Sequence, residues 1–134
     1  MIQYEYQTKV YYKDVDQMGI VYYTRYLEYF EAARTELLNG LGMSVTTMEE
    51  SGYHLPVVTC HCEYKGSARF EDELIVRTSI KSLPKSRLRI DYQVYRPGGR
   101  QPLVTGYTLH AFTNRNGIPG RPPKKLLTIL KKAL

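Results

Sequence analysis

Residues 10–42 read VYYKDVDQMGIVYYTRYLEYFEAARTELLNGLG, and a change of period inside this stretch decides the architecture. Leading into it, Gln3 to Tyr12 alternates. Tyr4, Tyr6, Thr8, Val10 and Tyr12 fall on one face and Gln3, Glu5, Gln7 and Lys9 on the other, the pattern of a half-covered strand. Residues 13–23 keep neither period, and Asp14, Asp16 and Gly19 mark them as an irregular turn. Thr24 is placed to cap a helix. From there Tyr26, Phe30, Ala33, Leu37 and Leu41 recur at helical spacing and form one apolar stripe, with Glu28, Glu31, Arg34 and Glu36 largely off it. Gly40 and Gly42 suit the end of this helix, the one long helix in the chain.

Downstream of a loop at Ser51-Gly52-Tyr53, the period returns to two. Pro56 to Tyr64 places Val58, Cys60, Cys62 and Tyr64 on one face. Glu73 to Leu83 alternates through Leu74, Val76, Thr78 and Ile80, and Arg87 to Tyr95 through Leu88, Ile90, Tyr92 and Val94. Leu103 to Thr113 is apolar or small on both faces, which predicts a central strand. Gly66-Ser67, Pro84-Lys85-Ser86, Pro97-Gly98-Gly99 and Asn116-Gly117 separate these runs with turn chemistry, and the last three breaks are short enough for antiparallel neighbours. Pro122 to Leu134 reads as a short basic helix. The order is strand, long helix, four strands: an α+β chain in which a five-stranded antiparallel sheet wraps one helix. One helix covers only part of such a sheet, so a second subunit is expected to complete the burial.

The 134 residues suit one domain spanning 1–134. The aromatic content is carried by thirteen Tyr, with three Phe and no Trp; Tyr favours half-covered positions where the ring packs and the hydroxyl finds a partner. The formal charge of +6 attracts phosphates, whether of a nucleic acid, a membrane or a nucleotide cofactor, although four basic residues near the C-terminus inflate it. Cys60 and Cys62 flank His61 at a spacing unlike that of zinc sites, and are expected to be buried free thiols in a reducing compartment. The N-terminus lacks a basic region followed by an apolar run, and no stretch reaches membrane-spanning length, so a cytoplasmic location is expected. There is no G-x-S-x-G, no phosphate-binding glycine loop and no metal spacing among His54, His61 and His110.

One constellation is left, the acidic turn itself. A carboxylate beside a helix N-terminus can be a simple capping group. Gly19 argues for more, because it permits close backbone approach, and Ile20, Val21, Tyr22 and Tyr23 are apolar enough to surround the acid and exclude water.

Asp14-Val15-Asp16-Gln17-Met18-Gly19-Ile20-Val21-Tyr22, followed by Tyr26, resembles the hot-dog thioesterase signature D-x-D-x-x-G-x-V-[YF]-x-x-x-Y. Nearly the whole chain is similar to the 4-hydroxybenzoyl-CoA thioesterase family and its relatives, the short-chain acyl-CoA thioesterases of the bacterial Tol-Pal cluster. Tyr64 to Leu74 resembles that family's segment entering the third strand, and Asn116-Gly117 and Pro122 fall where the family leaves its last strand. The resemblance implies the hot-dog fold and hydrolysis of a short-chain or aromatic acyl-CoA to free acid and CoA. It makes Asp16 the catalytic carboxylate, as general base or nucleophile, and assigns the backbone N–H of Tyr23 to the thioester carbonyl. The short-chain relatives carry histidine where this chain has Tyr23, as the hydroxybenzoyl branch does.

Gly19, Val21, Tyr22 and Ser67 fall among the implied substrate-binding residues. Lys85 and Arg121, with Arg87 and Arg115 as neighbours, are implied contacts for the CoA phosphates. Neither a metal nor a separate cofactor is implied, since CoA is part of the substrate. A homo-oligomer is implied, a dimer at least and a tetramer by family habit, with no nucleic-acid partner. Two rivals stand beside this reading: a non-catalytic acyl-CoA-binding hot-dog protein, and a nucleic-acid-binding module suggested by the charge and the tyrosines. Against the second, the basic residues are scattered and no base-stacking motif appears.

Overall fold

The computed structural model describes residues 1–134. Strand β1 (Ile2–Lys9) leads through a 3-10 turn at Tyr12–Asp14 to helix α1 (Arg25–Gly40) and a short helix α2 (Val45–Glu50). Strands β2 (Val57–Tyr64), β3 (Glu73–Ile80), β4 (Arg87–Tyr95) and β5 (Val104–Ala111) follow, and helix α3 (Lys124–Ala133) ends the chain. The strands form one antiparallel sheet in the order β1-β3-β4-β5-β2. β5 is interior, between β4 and β2, while β4 holds the middle of the sheet.

The cross-strand row Tyr4, Thr78, Tyr92, Gly106 and Cys62 shows how the sheet receives α1. Phe30 of α1 lies flat on Tyr92, with centroids 4.2 Å apart and planes 8° from parallel. The helix comes this close because Gly106 has no side chain. A Cβ there would stand 2.9 Å from the Phe30 ring and would also strike the His61 carbonyl. The stripe read from sequence is buried at Tyr26, Phe30, Ala33 and Leu37, joined by Tyr29 and Leu38. The helix stops as its glycines indicate. Gly42 is left-handed (φ 78°), its N–H reaches the Asn39 carbonyl, and the Met43 N–H reaches the Leu38 carbonyl. Met43 and Leu38 are both buried, completing this C-terminal closure.

Beneath α1 runs a buried polar chain. The Tyr92 hydroxyl is 2.7 Å from Thr108 Oγ1, which is 2.8 Å from His110 Nε2, and His110 Nδ1 is 3.1 Å from the Leu55 carbonyl. A carbonyl only accepts, so Nδ1 carries the hydrogen and Nε2 accepts from Thr108. Thr108 in turn accepts from Tyr92, and the chain is fully satisfied with a neutral imidazole. Burial holds the His110 pKa below its ordinary value; the Leu55 hydrogen bond opposes this, and nearby Arg34 reinforces it.

Several expectations need correction. β1 ends at Lys9 because Glu71, opposite its end, is left-handed (φ 71°) and breaks the ladder; Val10 still bonds to residues 71 and 72 through its backbone. β3 ends at Ile80 and β5 at Ala111, each short of the run read from sequence. Thr24 occupies the cap position with helical backbone, but its hydroxyl caps nothing. Helix α2 was not expected; Ser44 caps it by accepting from the Thr47 N–H. The two free thiols are not buried: Cys60 is exposed and Cys62 half-buried, because β2 is the outermost strand. No helix is long and apolar enough to cross a membrane.

Candidate active site

The acidic turn is a tight hairpin. Val15 and Val21 bridge, the Asp16 N–H donates to the Ile20 carbonyl (2.9 Å), and the Gly19 N–H donates to the Asp16 carbonyl (3.0 Å). Gly19 closes the turn at φ 77°, a backbone state that favours glycine. Asp16 Oδ1 accepts from the Met18 N–H at 2.8 Å. One carboxylate oxygen is thus anchored to the backbone, and the bond fixes the direction of the other.

Asp14 does different work. It is buried, its carboxylate accepts from the Tyr11 N–H at 3.0 Å, and its carbonyl accepts from the Tyr22 N–H at 2.8 Å. These bonds fasten the 3-10 turn to the start of the helix. The buried Tyr29 hydroxyl lies close to this carboxylate without completing a hydrogen bond. Burial first, and then the charge of Asp14, push the Tyr29 phenol far above its ordinary value, so it is a neutral hydroxyl.

Helix α1 opens beside the hairpin. The Arg25 N–H donates to the Tyr22 carbonyl (2.9 Å) and the Leu27 N–H to the Thr24 carbonyl (3.2 Å), while the N–H groups of Tyr23 and Thr24 find no acceptor in the chain. They stand at the positive end of a sixteen-residue helix. Tyr22, Tyr23 and Tyr64 cluster at this mouth: the first two rings are 4.9 Å apart, the last two 6.1 Å, and the Tyr64 hydroxyl donates to the Tyr23 carbonyl (3.1 Å).

One segment, residues 67–72, supports both parts. The Val21 N–H donates to the Ala68 carbonyl (2.9 Å), Ile20 bridges Arg69, and the Ala68 N–H donates to the buried Tyr26 hydroxyl (3.2 Å) in the first turn of α1. Ser67 lies on this segment, exposed, with its carbonyl taken by Arg96 Nη2 at 2.7 Å.

Residues 10–130 match the sequence profile of the thioesterase-like superfamily. The chain belongs to that family. It is 33% identical over 94 residues to the acyl-CoA thioesterase YbgC of Haemophilus influenzae, covering 69% of each chain. Among solved structures, a hypothetical protein, TT1821, of Thermus thermophilus superposes with a TM-score of 0.89 at 30% identity, covering 98% of both chains. DHNA-CoA thioesterase of Staphylococcus aureus gives 0.90 at 25% identity, covering 98% of this chain and 91% of that one. The fold is the hot-dog fold of these thioesterases.

In this family member the implied residues fall into three places. Asp16, Gly19, Val21, Tyr22 and Tyr23 lie together at the hairpin and helix mouth, with Ser67 on the supporting segment. Lys85 and Arg121 line one cleft of about 870 Å³, together with Tyr53, Phe112, Asn114 and Lys124. Arg87, at the start of β4, and Arg115 lie outside its lining; the Arg115 guanidinium donates to the Glu50 carbonyl (3.2 Å). The expected water-excluding wall around Asp16 does not form within one chain. Asp16 is half-buried, Val21 is buried, but Tyr22 is 47% and Tyr23 57% exposed, and no major cleft includes Asp16. The sequence reading also missed Lys124 as a partner of Lys85 and Arg121. Its only signal was membership of a basic C-terminal helix.

Proposed function

We propose that this chain hydrolyses the thioester of a short-chain or aromatic acyl-CoA to the free acid and CoA. The observation that carries the reading is the juxtaposition of an anchored carboxylate, Asp16, with two unengaged N–H donors, Tyr23 and Thr24, at the mouth of α1. A thioester is an activated acyl group, so the protein must supply an attacking oxygen and stabilise the oxyanion that follows. Asp16 does the first in one of two ways. As general base it takes a proton from a water that attacks the carbonyl carbon. As nucleophile it attacks directly, giving a mixed anhydride that water then opens. Either way the Tyr23 N–H donates to the oxygen as negative charge grows there, the C–S bond breaks, and CoA leaves as thiolate to be protonated. This chemistry asks for no metal or separate cofactor.

The CoA phosphates are assigned to the cleft of Lys85, Arg121 and Lys124, where three cations converge. The open tyrosines at the site and the free edge of β2, where Val57 and Val58 are exposed, support a homo-oligomer, a dimer at least and a tetramer by family habit. A cytoplasmic location accords with the two free cysteines.

The test is thiol release from a panel of short-chain and aromatic acyl-CoAs. At least one is expected to be turned over, with KM rising on added salt and in Lys85→Ala. Binding without thiol release across the panel would make the chain a non-catalytic acyl-CoA binder. A KM indifferent to both salt and Lys85→Ala would remove Lys85 from the phosphate site.

A further inference from the structure

We propose that Arg96, at the end of β4 and outside the site, is a positioning residue for the reaction assigned above, on which this inference rests. The hairpin of Asp16 and the first turn of α1 are not joined by a shared strand. Both are tied to residues 67–72: the hairpin through Val21 to Ala68, Ile20 to Arg69 and the Phe70 N–H to the Gly19 carbonyl (3.4 Å), the helix through the Tyr26 hydroxyl to Ala68. The spacing between carboxylate and helix donors therefore depends on how rigidly this segment is held, alongside the direct bond from the Tyr22 N–H to the Asp14 carbonyl.

Beyond the two backbone bonds that Val10 makes with Glu71 and Asp72, no sheet ladder holds it, since the left-handed Glu71 interrupts pairing with the end of β1. Arg96 does. Its Nε donates to Asp72 Oδ2 at 3.1 Å and its Nη2 to the Ser67 carbonyl at 2.7 Å, so one planar guanidinium spans the first and last residues of the segment. The same Asp72 oxygen accepts from the Arg69 N–H at 2.8 Å, closing the turn from within. A guanidinium presents its donors in a fixed fork, whereas a lysine offers one flexible point charge.

Magnitudes decide what removing the fork does. The side chains of Arg96 and Asp72 are 43% and 27% exposed, and a solvent-screened pair of this kind contributes at most about 1 kcal/mol to stability. Misplacing a catalytic group by about 1 Å, in contrast, costs on the order of hundredfold in rate. Loss of Arg96 is thus expected to spare the fold and damage turnover.

The experiment compares Arg96→Ala, Arg96→Lys and Asp72→Ala with Arg77→Ala, which removes a similarly exposed pair with Glu5 on the far side of the sheet from α1. It reads kcat, KM, melting temperature and site-resolved amide hydrogen exchange. In Arg96→Ala, kcat should fall about 10- to 100-fold with KM within about twofold of wild type and melting little changed. Exchange should quicken at Val21, Ala68 and Phe70, and not in β4 or β5. Arg96→Lys should recover part of the rate, and Arg77→Ala should keep all of it. Unchanged kcat in Arg96→Ala, or an equal loss in Arg77→Ala, overturns the proposal. If Arg96→Ala fails to fold, Asp72→Ala, which removes the oxygen that both Arg96 and the Arg69 N–H use, carries the same expectations and the same refutation. A wild type inactive on every acyl-CoA sinks the assigned reaction instead; unquickened exchange in Arg96→Ala would then still show that Arg96 does not hold the turn.

Discussion

At the scale of single residues, two aspartates two positions apart have opposite roles, and their bonds explain why. Asp14 is buried and spends its carboxylate on the Tyr11 N–H; Asp16 gives one oxygen to the Met18 N–H and keeps the other free. The sequence shows two acids and a glycine but not which acid faces inward, because that depends on the 3-10 turn that ends at Asp14. His110 shows the same dependence on context. Both ring nitrogens are satisfied only when the imidazole is neutral, and its pKa is lowered by burial. Protonation would turn Nε2 from acceptor to donor, reverse the Thr108 hydroxyl and strand the Tyr92 hydroxyl, with Arg34 nearby. The folded-state pKa lies below the unfolded value, so the unfolded chain binds the proton first as pH falls. The stabilisation is complete above the unfolded pKa of about 6.5 and is lost as pH falls through the folded value. Melting temperature should therefore drop more steeply on acidification from about pH 7.5 to about pH 5 in wild type than in His110→Gln. Parallel pH profiles for the two proteins would show that His110 does not couple protons to folding.

At the scale of elements, the approach of α1 to the sheet depends on a missing side chain. Gly106→Ala should destabilise the chain by about 1–3 kcal/mol, because both the Phe30 ring and the His61 backbone occupy the space a methyl group needs. The check is chemical denaturation; an unchanged midpoint would mean that α1 and β2 yield without cost. This contact was invisible in the sequence, where Gly106 is one small residue in a strand. Other elements were readable for physical reasons. β4 runs from Arg87 to Tyr95 as expected because its alternation is strict and proline lies on either side at Pro84 and Pro97. The stripe of α1 was readable because Tyr26, Phe30, Ala33 and Leu37 all face one sheet. Helix α2 was not, since six residues carry too few turns to show a period and it depends on the Ser44 cap. The Arg96 staple joins residues 24 and 29 positions apart, with no local signature.

At the scale of the whole molecule, the chain is well packed under α1 and open at its site. Tyr22, Tyr23 and Tyr64 are exposed at the helix mouth, and β2 offers an unpaired edge. The sequence anticipated the apolar residues around Asp16 but not that one chain would leave them uncovered, because a run of tyrosines does not say which molecule supplies the cover. Sedimentation velocity should therefore find a dimer or tetramer at micromolar concentration. A monomer that is fully active would show that the cover is unnecessary.

Turnover by Asp16→Asn beside wild type tests whether the free oxygen of Asp16 supplies or activates the attacking oxygen. The amide keeps the size of the side chain and leaves an oxygen to accept from the Met18 N–H, so melting temperature and CoA binding should hold. On whichever acyl-CoA the wild type hydrolyses, kcat should fall by about 100-fold or more. Undiminished kcat in a folded, CoA-binding Asp16→Asn protein would mean that Asp16 neither supplies nor activates the attacking oxygen.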